Sequence, residues 1–131
     1  MKAFKLLVTQ NGRLSSISAL GPAHTYYQSG VNNAPDWLAE QGYHLCVFRT
    51  LDALLSFLKI NVYYEAEIWE VEGELVPLQS RAWLFALSNK ELIVCDAWKW
   101  PPETEMMKNL TLVKKIGKTD LHGKLEYTNK T

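Results

Sequence analysis

The stretch Gly42 to Lys59, GYHLCVFRTLDALLSFLK, constrains this chain more than any other, because it reads as a strand running directly into a helix. Side chains alternate along a strand, so Tyr43, Leu45 and Val47 share one face and His44, Cys46 and Phe48 the other. Both sets are largely apolar, which predicts a strand covered on both sides. In the helix that follows, Asp52, Ser56 and Lys59 fall on one narrow polar stripe. Leu51, Ala53, Leu54, Leu55, Phe57 and Leu58 fill the rest of its surface, so most of this helix is expected to be buried. Thr50 is placed to cap its N-terminus, and Asn61 can take the left-handed position that ends it.

Around that unit the chain alternates short apolar runs with turn signals. Phe4 to Thr9 alternates weakly and meets Asn11-Gly12, a hairpin signal, with Leu14, Ile17 and Leu20 on the returning strand. His24 to Gln28 reads as a short strand, and Asp36 to Gln41 as a turn of helix between Pro35 and Gly42. Val62 to Val76 reads as one long strand. Its apolar phase jumps between Ile68 and Trp69, as an extra residue in a β-bulge would require, and Gly73 is expected to bend it. Ala82 to Leu87 and Leu92 to Cys95 are strands about a turn at Ser88 to Lys90. Glu103 to Asn109 suggests a short helix and Leu110 to Ile116 a last strand. Residues 117–131 read as a loosely ordered tail or a small hairpin about Gly123. The expectation is a single α+β domain spanning 1–131, a mostly antiparallel twisted sheet with one main helix, 50–60, packed on it.

At 131 residues the chain is long enough for a core without a staple. No apolar run approaches the ~18 residues of a membrane span, and the apolar part of MKAFKLLVTQNG is too short for a signal peptide. A cytoplasmic protein with no membrane partner is expected. Net charge is zero but segregated. Residues 1–61 carry five basic and three acidic side chains, 62–107 three and nine, and 108–131 six and two. An acidic middle argues against direct binding of nucleic acid.

The first strand contains lysine, the next carries Gly42-Tyr43-His44-x-Cys46, the helix Asp52-Ala53-Leu54, and the following strand Glu70 to Gly73. This order, over residues 1–76, resembles a family of small uncharacterised domains of bacteriophages and prophages. The resemblance implies a phage accessory protein whose partner is a host protein, for example a nucleic-acid-binding or defence protein that it inhibits. The same strand and helix are more distantly similar to mono-ADP-ribosyltransferases. That likeness implies NAD or ADP-ribose as ligand, with Tyr43 and His44 in a pocket and Glu67 or Glu72, from Glu65-Ala-Glu67 and Glu70-Val-Glu72, as the late glutamate.

Several groups are candidate sites. His44 and Cys46 share a strand face and could begin a metal site with Cys95 and His24, or a thiol–histidine pair; packing in the core is the simpler reading of both. Glu65, Glu67, Glu70, Glu72 and Glu74 place five carboxylates in ten residues, either a solvated strand face or an acidic surface for a basic partner. Trp98, Lys99 and Trp100 could anchor an interface or cap the core. Tyr26, Tyr27, Tyr63 and Tyr64 could line a pocket, and Lys108, Lys114, Lys115 and Lys118 could meet a phosphate. The favoured reading is a non-catalytic binding protein without cofactor or metal, acting through Glu65, Glu67, Glu70, Trp98, Lys99 and Trp100.

Overall fold

Ten strands and two helices make up the computed structural model, which describes residues 1–10, 12–16, 25–77, 81–86, 88–96 and 100–128. They are β1 Lys2–Gln10, β2 Arg13–Ser16, β3 Tyr26–Tyr27, β4 Val31–Asn32, α1 Asp36–Ala39, β5 Leu45–Phe48, α2 Leu51–Ile60, β6 Glu67–Val76, β7 Arg81–Ala86, β8 Leu92–Asp96, β9 Thr104–Thr119 and β10 Leu125–Tyr127. Every strand pairing among the described residues is antiparallel, and the fold is α+β: an eight-stranded sheet, a separate two-stranded sheet of β7 and β8, and one main helix. β1 and β2 join where the sequence placed the hairpin, with Gln10 opposite Arg13 and Gly12 at φ 74°.

The sheet curls back on itself. β1 pairs with β6, β6 with β9, β9 with β5, and β5 returns to β1 through the single pair Phe4 and Phe48. Parts of β1, β5 and β6 have both faces covered. Ala3, Leu7, Leu45, Val47, Val71, Met107 and Leu110 pack on one, together with Leu38 of α1. Leu6, Phe48, Ala66 and Ile68 pack on the other beneath Leu54 of α2. The two-sided burial expected of the Gly42 strand is thus observed, and it extends to β1 and β6. No helix among the described residues is long and apolar enough to cross a membrane.

Helix α2 is capped as its sequence requires, the Thr50 hydroxyl accepting from the Ala53 N–H at 3.1 Å. Two details differ from expectation. Asn61 is extended at φ −118°, and the helix is closed by its backbone N–H and side-chain amide, which donate to the Phe57 carbonyl at 2.9 and 3.2 Å. Burial is also narrower: Leu54 is fully covered, its apolar neighbours are half-buried, and Ile60 at the last position is 83% exposed.

The long strand starts later than the sequence suggested, at Glu67, after an irregular segment in which Glu65 has φ 53°. The bulge is present but belongs to the partner strand. β6 pairs with β1 without interruption from Glu67 to Glu72, whereas against β9 the register skips Ile116, then Val113, and shifts a third time between Glu72 and Glu74. The change of apolar phase in β6 has another cause: Ile68 meets the α2 side and Val71 the opposite core, so both parities are buried. The expected helix at Glu103 to Asn109 is instead a turn residue, Glu103 at φ 61°, followed by the first part of β9. Met106 and Met107 are buried there between β5 and β6, and two-sided burial overrides the helix preference of Glu, Met and Lys. The small hairpin about Gly123 is found, β10 folding back on β9 through Asp120–Lys124 with Gly123 at φ 80°.

Candidate functional site

The charge segregation of the sequence becomes a pairing of strands. β6 carries the glutamates and β9 the lysines, and the two lie side by side, with Glu67 opposite Lys118, Glu70 opposite Lys114 and Glu74 opposite Lys108. Glu74 binds Lys108 at 3.3 Å, Glu67 binds Lys115 at 3.5 Å, and Glu70 binds Lys2 of β1 at 3.6 Å. Glu70, Glu72 and Glu74 follow Ile68 on the α2 side, on the half of that face that the helix does not reach, which is why these positions are charged. Glu67 is further committed, accepting the Trp69 indole N–H at 2.8 Å. Three of the five carboxylates are therefore held inside the sheet's own ion pairs.

Glu65 and Glu72 are exposed and have no ion pair among the described residues. Glu65 alone of the five has positive φ, its backbone N–H donating to the Asp120 carbonyl at 3.2 Å. That bond brings the segment before β6 onto the β9–β10 turn. Between them is a cleft of about 320 Å³ lined by Thr9, Glu65, Glu67, Lys115, Lys118, Thr119, Asp120, Leu121 and Glu126. Asp120 is held ionised below the usual carboxylate range by the backbone N–H groups of Lys124 and His122, each at 2.8 Å from its carboxylate oxygen. Thr119 fixes the wall through its hydroxyl, which accepts from the Ala66 N–H at 2.9 Å. Tyr64 stands beside this cleft, exposed, while Tyr63 turns inward and stacks on Phe57 at 6.0 Å.

No family model, curated protein or solved structure matches this chain.

The remaining candidates are distributed over the molecule. Leu45 and Leu75 both face Met107 across β9, so His44 stands near the Glu74 end of β6; burial and then Lys108 lower its pKa, and Glu74 opposes them. Glu67 is seven residues away along that strand, roughly 23 Å at 3.3 Å per residue. Tyr43 packs against the core, and the structure does not bring Tyr43 and His44 together with Glu67, whereas Glu72 lies two residues from Glu74 on the same strand. The Cys46 thiol is pushed up to about 11 by burial, opposed by the nearby Lys5 charge, which keeps it protonated and unsuited to act as nucleophile or ligand. Among the described residues no group of three metal-ligating side chains converges; His24 and the Cys95 side chain lie outside them. Tyr27 packs in one core and Tyr63 against the other, so the four tyrosines share no pocket. Trp100 packs against the Leu38 core, and Trp98 and Lys99 lie outside the described residues.

The cleft was half legible in the sequence. The sequence singles out Glu65, Glu67, Lys115 and Lys118, but not Asp120, Leu121 or Glu126. Their contribution depends on β10 folding back over β9, and the only local signal for that was the Asp-x-x-Gly turn at Asp120 to Gly123.

Proposed function

We propose that this chain is a non-catalytic binding protein, phage-encoded and acting in the host cytoplasm without a cofactor. It inhibits or modulates a host protein, such as a nucleic-acid-binding or defence protein, through an acidic and aromatic surface. The observation that carries this reading is the presentation of Glu65 and Tyr64. Both side chains are exposed next to a cleft, on a segment whose backbone is held at a φ that costs of order 1 kcal/mol for a residue other than glycine. Of the acidic residues first considered, Glu67 and Glu70 are engaged within the sheet, so Glu65 is the one free to meet a cationic partner.

The test is affinity capture from a bacterial lysate with the full chain and with Glu65→Lys. A partner retained by the native chain at low salt, released at high salt and not retained by the variant is the expected result. Equal retention by both proteins would overturn the reading. NAD and ADP-ribose are expected to leave the melting temperature unchanged, since a ligand bound only by the native state raises it.

A further inference from the structure

The end of α2 carries an apolar surface that the fold does not use. Ile60 is 83% exposed, Val62 58%, Tyr64 61% and Leu121 70%. Single exposed apolar residues are ordinary, but Val62 and Tyr64 meet the turn that carries Leu121, and Ile60 precedes them in the chain. The chain leaves the helix at Ile60 and crosses the β9–β10 turn. A Cβ placed on Gly123 would lie 2.6 Å from Val62 Cγ1 and 3.5 Å from the Tyr64 ring, so both side chains rest on the turn that carries Leu121. The strip is held in place from beneath. Tyr63, between Val62 and Tyr64, is anchored on Phe57, and the bond from Glu65 N–H to the Asp120 carbonyl ties the segment to the turn.

Leu121 also lines the cleft, so the strip and the cleft are continuous. The cleft holds four carboxylates, Glu65, Glu67, Asp120 and Glu126, against the two ammonium groups of Lys115 and Lys118. Lys115 is occupied by Glu67, and Lys124 acts on Asp120. Glu65 and Glu126 are left as exposed carboxylates with no ion pair within 4 Å among the described residues; Lys118, opposite Glu126 in the β9–β10 register, is the cleft's remaining ammonium group, so carboxylates stay in excess. An apolar strip bordered by unpaired carboxylates is complementary to a segment that is apolar on one side and cationic beside it.

We infer that the Ile60–Val62–Tyr64–Leu121 strip and the adjoining Glu65–Glu126 cleft form one docking site for a basic amphipathic helix of a partner protein. The helix lays its apolar side chains across Val62, Tyr64 and Leu121 and directs lysine or arginine into the cleft. This inference rests on the binding-protein reading and specifies the chemistry of the partner.

The test uses the full chain and a fluorescent synthetic peptide of about 14 residues, roughly four helical turns, with leucine on one side and lysine on the other. Two controls accompany it: the same composition scrambled, and the leucine pattern with glutamate in place of lysine. The amphipathic lysine peptide is expected to bind, and both controls to bind at least about tenfold more weakly. Leu121→Ser and the pair Glu65→Lys with Glu126→Lys are each expected to weaken binding by about tenfold, with unchanged melting temperature because these side chains are exposed. Equal binding of the glutamate peptide, no effect of Leu121→Ser, or no binding of the lysine peptide would overturn the inference. The two readings fail separately: lysate capture that depends on Glu65 while the lysine peptide fails to bind removes only the amphipathic helix, whereas capture indifferent to Glu65→Lys removes the binding surface itself.

Discussion

Lys5 shares the face of β1 with Ala3 and Leu7, its ammonium donating to the Cys46 carbonyl and lying 5.5 Å from the centre of the Tyr27 ring. No carboxylate pairs with it among the described residues. β1 and β5 meet only at Phe4 and Phe48, and the lysine serves a carbonyl of β5 just beyond that pair. Burial lowers its pKa to about 8, opposed by a smaller electrostatic effect of Cys46. A lysine whose folded pKa lies below its unfolded value destabilises the protein while charged, so stability is lowest below about pH 8 and rises as the pH climbs toward the unfolded value. Cys46 acts in the opposite sense: its raised pKa removes stability once the unfolded thiol ionises, above its ordinary value of 9.0. The window for Lys5 alone is therefore pH 8 to 9, where stability is expected to rise by about 1 kcal/mol. Chemical denaturation at both pH values measures it. Lys5→Met is expected to abolish this rise and to be more stable than the native chain at pH 7. A steeper or unchanged slope in the variant would contradict the assignment.

At the scale of elements, the parts legible in the sequence are those whose signals are local. Thr50 and the polar stripe of α2 announce the helix, and Asn11-Gly12 announces the hairpin. Thr50→Ala is expected to cost about 1 kcal/mol in denaturant melts, the usual worth of an N-cap. The readings that failed depended on partners distant in sequence. Weak alternation in Phe4 to Thr9 reflects burial of both faces with Lys5 among them, and the bulge of the β6–β9 pair lies in β9, which β6's own sequence cannot show. Gly73 matters through space rather than through a bend of β6 alone. A Cβ there would stand 2.7 Å from the Lys108 carbonyl oxygen and 2.9 Å from that of Asn109, both backbone atoms. Gly73→Ala is expected to destabilise by about 1–3 kcal/mol, the range for overpacking, and a melting temperature equal to that of the native chain would count against this packing.

Across the whole molecule, the acidic middle and basic tail of the sequence neutralise one another as β6 against β9, and what is left for a partner is concentrated at the β9–β10 end. Exposed ion pairs are worth ~0–1 kcal/mol each, so Glu70→Gln is expected to lower stability by no more than that and to leave partner binding intact, in contrast to Glu65→Lys. The most direct test of the binding surface is hydrogen exchange on the chain with and without its captured partner. Protection gained over residues 60–67 and 117–127, with the remainder of the chain unchanged, is the expected result. Protection confined to residues 97–100, or to the β1–β2 hairpin, would contradict it.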